Sequence, residues 1–465
     1  MTLIKSISGI RGTIGGEIGS NLTPLDIVKF SSAYARFICD STPKDEITVV
    51  IGRDARISGE MVSNIIEGTL IACGVNVIDV GLCTTPGVEL AVVHHKADGG
   101  IIITASHNPA QWNALKLLNA DGEFLNAAQG DKILEYADDD NIAIYNYPTI
   151  DKIGVVKCRE DYNATHIAQV LALPQVDVEA VRDHKFKVVV DAVNSVGGVV
   201  IPQLLREMGC DVVEINCTPN GQFAHNPEPL AENLTEISDV VRREGADLGV
   251  VVDPDVDRLA LVCESGEMFG EEYTLVAVAD YILSQKVGNT VSNLSSSRAL
   301  SDVTEAHGGC YTAAAVGEVN VVAAMKNTNA IIGGEGNGGV ILPELHYGRD
   351  ALVGVALFLT YFAQKQCSMS ELRASYPAYY ASKNKIELHK GIDTVQVLST
   401  IKERYSAERL NDIDGVKIDF ADSWVHLRRS NTEDIIRIYS EAKSETEAES
   451  IAQKFIAEIS EICGL

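Results

Sequence analysis

The sequence has little positive charge. Its 38 lysines and arginines stand against 65 acidic residues, a formal net charge of -27. That balance excludes a surface built to neutralise nucleic-acid phosphates or anionic lipid. No apolar run reaches the ~20 residues that a membrane-crossing helix needs. The longest, Ala351 to Ala363, lies between Arg349-Asp350 and Gln364-Lys365 and reads as a buried helix. The opening residues Met1-Thr2-Leu3-Ile4-Lys5-Ser6 lack the apolar stretch of a secretory signal. The ten cysteines are scattered, with no C-x-x-C pair. This argues against a disulfide framework and predicts reduced, mostly buried thiols, Cys73, Cys263 and Cys310 among them, in a cytoplasmic protein.

What is present is an ordinary globular composition, 46% hydrophobic and 22% charged over 465 residues. Disorder is therefore excluded as a description of the whole, and the length points to about three or four compact units. A strand, a glycine-marked turn and a helical stretch recur three times. The first copy has strands at Ile47 to Ile51, Asn76 to Val80 and Gly100 to Ile103. The second has them at Lys187 to Val190, Asp211 to Ile215 and Leu248 to Val252, the third at Thr290 to Leu294, Cys310 to Ala314 and Ala330 to Ile332. After about residue 375 a run of strands with flanking helices (Thr394 to Tyr405, Ser444 to Ile462) predicts a separate α+β unit. The expected boundaries are 1–157, 158–266, 267–372 and 373–465.

The last strand of each copy is short and apolar on both faces, as a central parallel strand is. Loops at the carboxyl ends of such strands bind ligands. The first such loop is Thr104-Ala105-Ser106-His107-Asn108-Pro109, where Ser106 reads either as a nucleophile or phosphoryl carrier on a strand-to-helix turn or as a helix N-cap. The second, Asp253-Pro254-Asp255-Val256-Asp257-Arg258, alternates three carboxylates that an extended loop turns toward one hard cation. An EF-hand is excluded, because Arg258 stands where its glycine belongs and Leu259 to Cys263 reads as a strand. A phosphatase with an aspartyl nucleophile is the rival, although Asp257 stands where that pattern has Thr or Val.

The third loop, Gly333-Gly334-Glu335-Gly336-Asn337-Gly338-Gly339, lacks the dinucleotide-binding frame. It is either a flexible turn or a place where Glu335 and Asn337 hold neighbouring hydroxyls. Farther on, Arg428-Arg429-Ser430-Asn431-Thr432-Glu433 combines a guanidinium, hydroxyls and an amide as a phosphate cradle, with Arg437 on the next strand. An exposed polar hairpin is the alternative. Weaker signals are the cations of Ser8-Gly9-Ile10-Arg11-Gly12 and Gly52-Arg53-Asp54-Ala55-Arg56.

Taken in order, these five segments resemble the α-D-phosphohexomutase superfamily over essentially the whole chain. The resemblance implies three similar α/β domains with mixed, mainly parallel sheets plus a C-terminal α+β domain around a central cleft. It implies that Ser106 is a phosphoserine, and that Asp253, Asp255 and Asp257 hold one Mg²⁺ together with an oxygen on Ser106. Arg258, Glu335 and Asn337 fall on sugar-recognition positions, and Arg428, Ser430, Asn431 and Thr432 on the phosphate grip. Arg11 and Lys116 fall where proton transfer and positioning occur, with Lys116 expected as a base of lowered pKa, and His107 beside the carrier. The implied reaction interconverts hexose 6- and 1-phosphates through a hexose 1,6-bisphosphate. The partner is a small phosphosugar, with no nucleic acid or membrane, on a monomer or homodimer. Many members have Ser at the position of Asn337, His at Gly339 and Gly at Ala114. The Glu-Gly-Asn-Gly-Gly form looks more like phosphoglucosamine mutases, so glucosamine phosphate is the expected substrate.

Overall fold

Runs such as Val49-Val50-Ile51 and Val188-Val189-Val190 are too short and too β-branched for helices. They form sheet centres in a computed structural model that describes residues 2–6, 9–138, 147–389, 391–430 and 435–464. The chain divides into two compact units, Met1–Thr274 with Asn337–Ser370, and Leu275–Gly336 with Glu371–Leu465.

In the first unit, β1 (Ile4–Ser6), β2 (Gly9–Thr13), β3 (Thr48–Arg53), β4 (Asn76–Leu82), β5 (Gly99–Ile103), β6 (Trp112–Leu118) and β7 (Val156–Arg159) form one sheet. The order is β1-β2-β6-β5-β3-β4-β7. The side built from β5, β3, β4 and β7 is parallel, as a repeated strand–helix plan requires, whereas β5, β6, β2 and β1 are antiparallel. Gly9 makes the β2–β6 pairing possible: its φ is +115°, and a Cβ there would lie 2.3 Å from the Leu115 carbonyl oxygen. β8 (Lys187–Asp191), β9 (Asp211–Ile215), β10 (Leu248–Val252) and β11 (Leu259–Cys263) form a second sheet, ordered β11-β10-β8-β9, with only the β10–β11 pair antiparallel.

The apolar run behaves as expected. Helix Ala351–Lys365 buries every residue from Ala351 to Ala363, as a helix apolar all round must. Phe358 meets Phe269 edge-on at 5.3 Å and Phe362 stacks on Phe186 at 5.0 Å. The Asp350 carboxylate caps this helix, accepting from the N–H groups of Leu352 (2.8 Å) and Val353 (3.3 Å). Its other oxygen meets His166 Nε2 at 2.7 Å and His346 Nε2 at 3.2 Å, and His346 Nδ1 faces Glu89 at 3.1 Å.

Burial alone would lower the His346 pKa, but its bonds to Asp350 and Glu89 outweigh that and push it up to about 10. A histidine raised in the folded state stabilises fully below its unfolded value of about 6.5, and the contribution is lost as pH rises through the folded value. Comparing urea midpoints, His346→Gln is expected to cost most at about pH 6 and progressively less toward about pH 10.

In the second unit, β12 (Asn289–Asn293) lies between β13 (Tyr311–Ala314) and β14 (Ala330–Glu335), all parallel. The next strand in sequence, β15 (Gly339–Ile341), belongs to the first unit. The C-terminal part is an antiparallel sheet ordered β16-β20-β19-β18-β17, from β16 (Tyr380–Glu387), β17 (Arg409–Asn411), β18 (Val416–Asp419), β19 (Trp424–Arg429) and β20 (Ile435–Ala442). Helices Thr394–Arg404 and Glu445–Cys463 supply Val397, Leu398, Ile401, Phe455 and Ile459 to its core. That is the expected strand run with flanking helices.

Among the described residues none of the ten cysteines forms a disulfide, and Cys73 and Cys263 are buried. Cys310 is exposed instead, because it precedes the edge strand β13 rather than sitting within it. Among the described residues no helix is long and apolar enough to cross a membrane.

Candidate active site

The Ser106 loop leaves β5 and enters β6, so it is a strand-to-strand turn with no helix for Ser106 to cap. The expected strand-to-helix turn is corrected here. Only long-range pairing makes Trp112–Leu118 a strand, and the half-buried lysine in it obscures the local pattern. Ser106 has φ +47°, a conformation that costs a non-glycine residue free energy and is kept only by its surroundings. The surroundings are explicit. Thr104 Oγ1 accepts the Ser106 N–H (2.9 Å) and donates to Asp54 (2.6 Å). Arg56, fully buried and 3.0 Å from Asp54, donates to the carbonyls of Asn108 (2.7 Å), Pro109 (2.8 Å), Trp112 (2.9 Å) and Ser106 itself. One guanidinium thereby holds four carbonyls of one loop, as its fork of donors permits.

The Ser106 hydroxyl donates to Asp253 Oδ2 at 2.7 Å and lies 3.2 Å from His107 Nδ1. Segments 147 positions apart are joined at this oxygen. Asp253, Asp255 and Asp257 are all fully buried, with ligand-capable atoms within 4.8 Å of one another. Asp253 is held by the protein on both oxygens, Asp255 and Asp257 on one each. Asp253 Oδ1 accepts the N–H groups of Asp257 (3.2 Å) and Arg258 (3.1 Å). Asp255 Oδ2 accepts from Thr85 Oγ1 (2.6 Å) and Lys116 Nζ (2.7 Å), and Asp257 Oδ2 from Arg349 Nη2 (2.7 Å) and, at 3.5 Å, Lys116. Asp255 Oδ1 and Asp257 Oδ1 are buried and have no hydrogen-bond partner among the described residues. Orphaned buried carboxylate oxygens beside a third carboxylate fit a hard, oxygen-seeking cation.

The electrostatics follow from the same contacts. Burial, then the charges of Asp255 and Asp257, raise the Asp253 pKa well above the carboxylate range. Burial also acts to raise Asp255, but the Lys116 charge and the bonds from Lys116 and Thr85 drive it down. Lys116 contradicts its expectation as a base of lowered pKa. Burial pulls it down, yet Asp255 and Asp257 outweigh that and raise it above the ordinary lysine value, so it stands as an ammonium. His107 is pushed down to about 2 by burial and then by the cations Arg258, Arg349 and Lys116, so its imidazole is neutral.

Arg11 lies on β2 opposite Ala114, on the sheet face that carries Lys116 two residues along β6. Arg258 pairs with Glu228 at 3.6 Å. The Asn337 side chain accepts the Gly339 N–H at 3.2 Å, closing a turn whose Gly338 carbonyl accepts from the N–H of Leu259, directly after the aspartate loop.

In the second unit, Glu335 is buried and accepts from Asn293 Nδ2 (2.9 Å) and the Gly317 N–H (3.2 Å). Arg428 Nε lies 2.8 Å from Asp414, which also accepts the N–H of Val316, next to Gly317. Asp414 thus ties the Glu335 and Arg428 regions together within this unit. Arg437 stands directly opposite Arg428 in the β19–β20 ladder. Like charges so placed repel unless an anion lies between them. Ser430 N–H donates to the Ile435 carbonyl at 3.0 Å. Asn431 and Thr432, like Ser8, lie outside the described residues.

Arg56, Thr85, Arg349 and Asp414 are site residues that the sequence reading does not single out. Arg56 is visible there only as a loop cation and Arg349 only as the border of an apolar run. Thr85 follows Thr84, whose hydroxyl takes the helix cap by accepting the Gly87 N–H (2.9 Å), while Thr85 turns to Asp255.

The models of phosphoglucomutase/phosphomannomutase α/β/α domains I, II and III and of the C-terminal domain match residues 3–142, 164–266, 270–380 and 384–458. A phosphoglucomutase/phosphomannomutase of Thermococcus kodakarensis is 37% identical over 95% of this chain and 94% of its own. A phosphoglucosamine/phosphogalactosamine mutase of Sulfurisphaera tokodaii is 33% identical over 96% of both. The crystal structure of a phosphoglucomutase/phosphomannomutase family protein from Burkholderia thailandensis shares the fold at a TM-score of 0.83, with 24% identity and 98% of each chain covered. The chain belongs to the phosphoglucomutase/phosphomannomutase family. It is therefore an enzyme, an isomerase that works by phosphoryl transfer.

Proposed function

We propose that this enzyme interconverts a hexose 6-phosphate and its 1-phosphate through a phosphorylated Ser106 and a bound hexose 1,6-bisphosphate, with glucosamine phosphate as the preferred sugar. The observation that carries the reading is the Ser106 hydroxyl 2.7 Å from Asp253, beside two buried aspartate oxygens with no hydrogen-bond partner among the described residues. Asp253, Asp255 and Asp257, with an oxygen on Ser106, would hold Mg²⁺, which when bound neutralises charge on a phosphoryl group.

This chain's own residues do the rest. Arg56 fixes the carrier loop. Lys116 and Thr85 orient Asp255, and Lys116 acts as a fixed cation in a site where positioning and charge neutralisation dominate catalysis. The neutral His107 ring steadies the carrier oxygen. Arg258, Glu335 and Asn337 read the sugar, and Arg428 and Arg437, with Ser430, Asn431 and Thr432, grip the non-reacting phosphate. Transfer breaks the bond from phosphorus to the Ser106 oxygen and forms one to a sugar hydroxyl oxygen, whose proton ends on Ser106, giving the bisphosphate. Return of its other phosphoryl group regenerates the carrier, with no net loss of phosphate. The proposed domains are 1–157, 158–266, 267–372 and 373–465.

The Glu335–Gly339 sequence favours glucosamine, while the named activity of the Thermococcus relative keeps glucose and mannose phosphates as the second reading. Assays on glucosamine, glucose and mannose 6-phosphates, each with a trace of hexose 1,6-bisphosphate, test both readings. The expected result is fastest turnover of the amino sugar with little phosphate released. Release of inorganic phosphate as fast as product forms would assign a hydrolase working through Asp253 instead.

A further inference from the structure

Arg349 is buried to 8% exposure and sits one residue before the cap of helix Ala351–Lys365. Its backbone is pinned on the C-terminal side. The Asp350 N–H donates to the Val340 carbonyl (2.8 Å), the Ala351 N–H to that of Val256 (3.2 Å), and the Asp350 carboxylate is held by His166 and His346. The side chain passes directly over Gly339. A Cβ at residue 339 would lie 2.3 Å from Arg349 Cδ and 3.0 Å from its Cγ. Real Cβ atoms do not approach that closely, so the arginine occupies room that exists only because residue 339 has no side chain. From there Nη2 reaches Asp257 Oδ2 at 2.7 Å, in the aspartate cluster whose Asp253 accepts the Ser106 hydroxyl at 2.7 Å.

We infer that Arg349 is an anion-holding and positioning residue of the phosphoryl site, and that Gly339 is the seat that admits it. By taking Asp257 Oδ2 it fixes that carboxylate and leaves Oδ1, buried and with no hydrogen-bond partner among the described residues, for a cation shared with the other two aspartates. Its guanidinium also adds a fixed positive charge beside a serine that must carry a phosphate dianion. This rests on the proposed phosphoserine reading. It goes further by pairing two positions, 339 and 349, whose residues determine one another.

The test is calorimetric binding of glucose 1,6-bisphosphate to the full-length protein stripped of metal, so that the readout does not depend on turnover. R349Q is expected to weaken binding by about tenfold or more, the scale of one charged interaction. R349K, which keeps the charge, recovers most of it. G339A leaves the arginine in the sequence but displaces it, and is expected to weaken binding to a similar extent. The double variant G339A/R349Q is no weaker than R349Q, because residues acting as one unit do not add. A merely structural arginine would lower melting temperatures without this pattern. Affinities within about twofold of wild type in both R349Q and G339A, or losses that multiply in the double variant, would overturn the inference alone. A wild-type protein that binds no bisphosphate would bring down the mutase reading and this inference with it.

Discussion

Ser106→Ala is expected to abolish mutase turnover while leaving a folded protein. The alanine removes one hydroxyl whose partners are Asp253 Oδ2 at 2.7 Å and His107 at 3.2 Å, and no group named around it offers a second oxygen in its place. Knocking out a covalent carrier typically costs several orders of magnitude, and here at least about 10³-fold in kcat is expected. Intact mass before and after incubation with hexose 1,6-bisphosphate supplies the independent check. Wild type should gain a phosphoryl group that phosphatase removes, and the variant should gain none. Full activity in the alanine variant would falsify the carrier role.

Arg56→Met should have the largest effect on stability. It leaves Asp54 fully buried beside no cation and releases four carbonyls from one guanidinium. Removing one partner of a buried pair costs about 3–5 kcal/mol, because the remaining charge is stranded. A further loss comes from the Phe223 ring, over which the guanidinium sits at 5.0 Å. The second substitution Asp54→Asn removes the stranded charge, so the double variant should recover part of the loss in a urea titration while remaining catalytically impaired. Its impairment follows from the backbone. With no donor on its carbonyl, Ser106 has less to hold it at φ +47° and relaxes toward a commoner conformation. A double variant with wild-type turnover would show that the loop does not need Arg56.

The parts of the molecule legible in the sequence were those encoded locally. Leu248–Val252 and Asp211–Ile215 are found at the residues their apolar patterns predict, and the helix expected at Ala351 to Ala363 is there. β16, the first strand of the run expected after about residue 375, starts at Tyr380 with a largely exposed first half that carries no apolar pattern. β1, β2 and β6 were invisible for a related reason. They are antiparallel additions whose only support is pairing with residues far along the chain.

The sequence by itself determined which chemical groups are available: a serine after one buried strand, three alternating carboxylates after another, and a guanidinium cradle near the end. Only the tertiary structure decided their states. The Lys116 pKa is raised rather than lowered because Asp255 lies 2.7 Å away, a distance set by strand β6 and the aspartate loop together. Arg349 reaches Asp257 because Gly339 lies beneath it, and Arg56 became the anchor of the Ser106 loop because β3 and β5 are neighbours. Ionisation and pairing depend on through-space distance in a low-dielectric interior, which falls steeply in effect over a few ångströms. Spacing along the chain carries no measure of that distance.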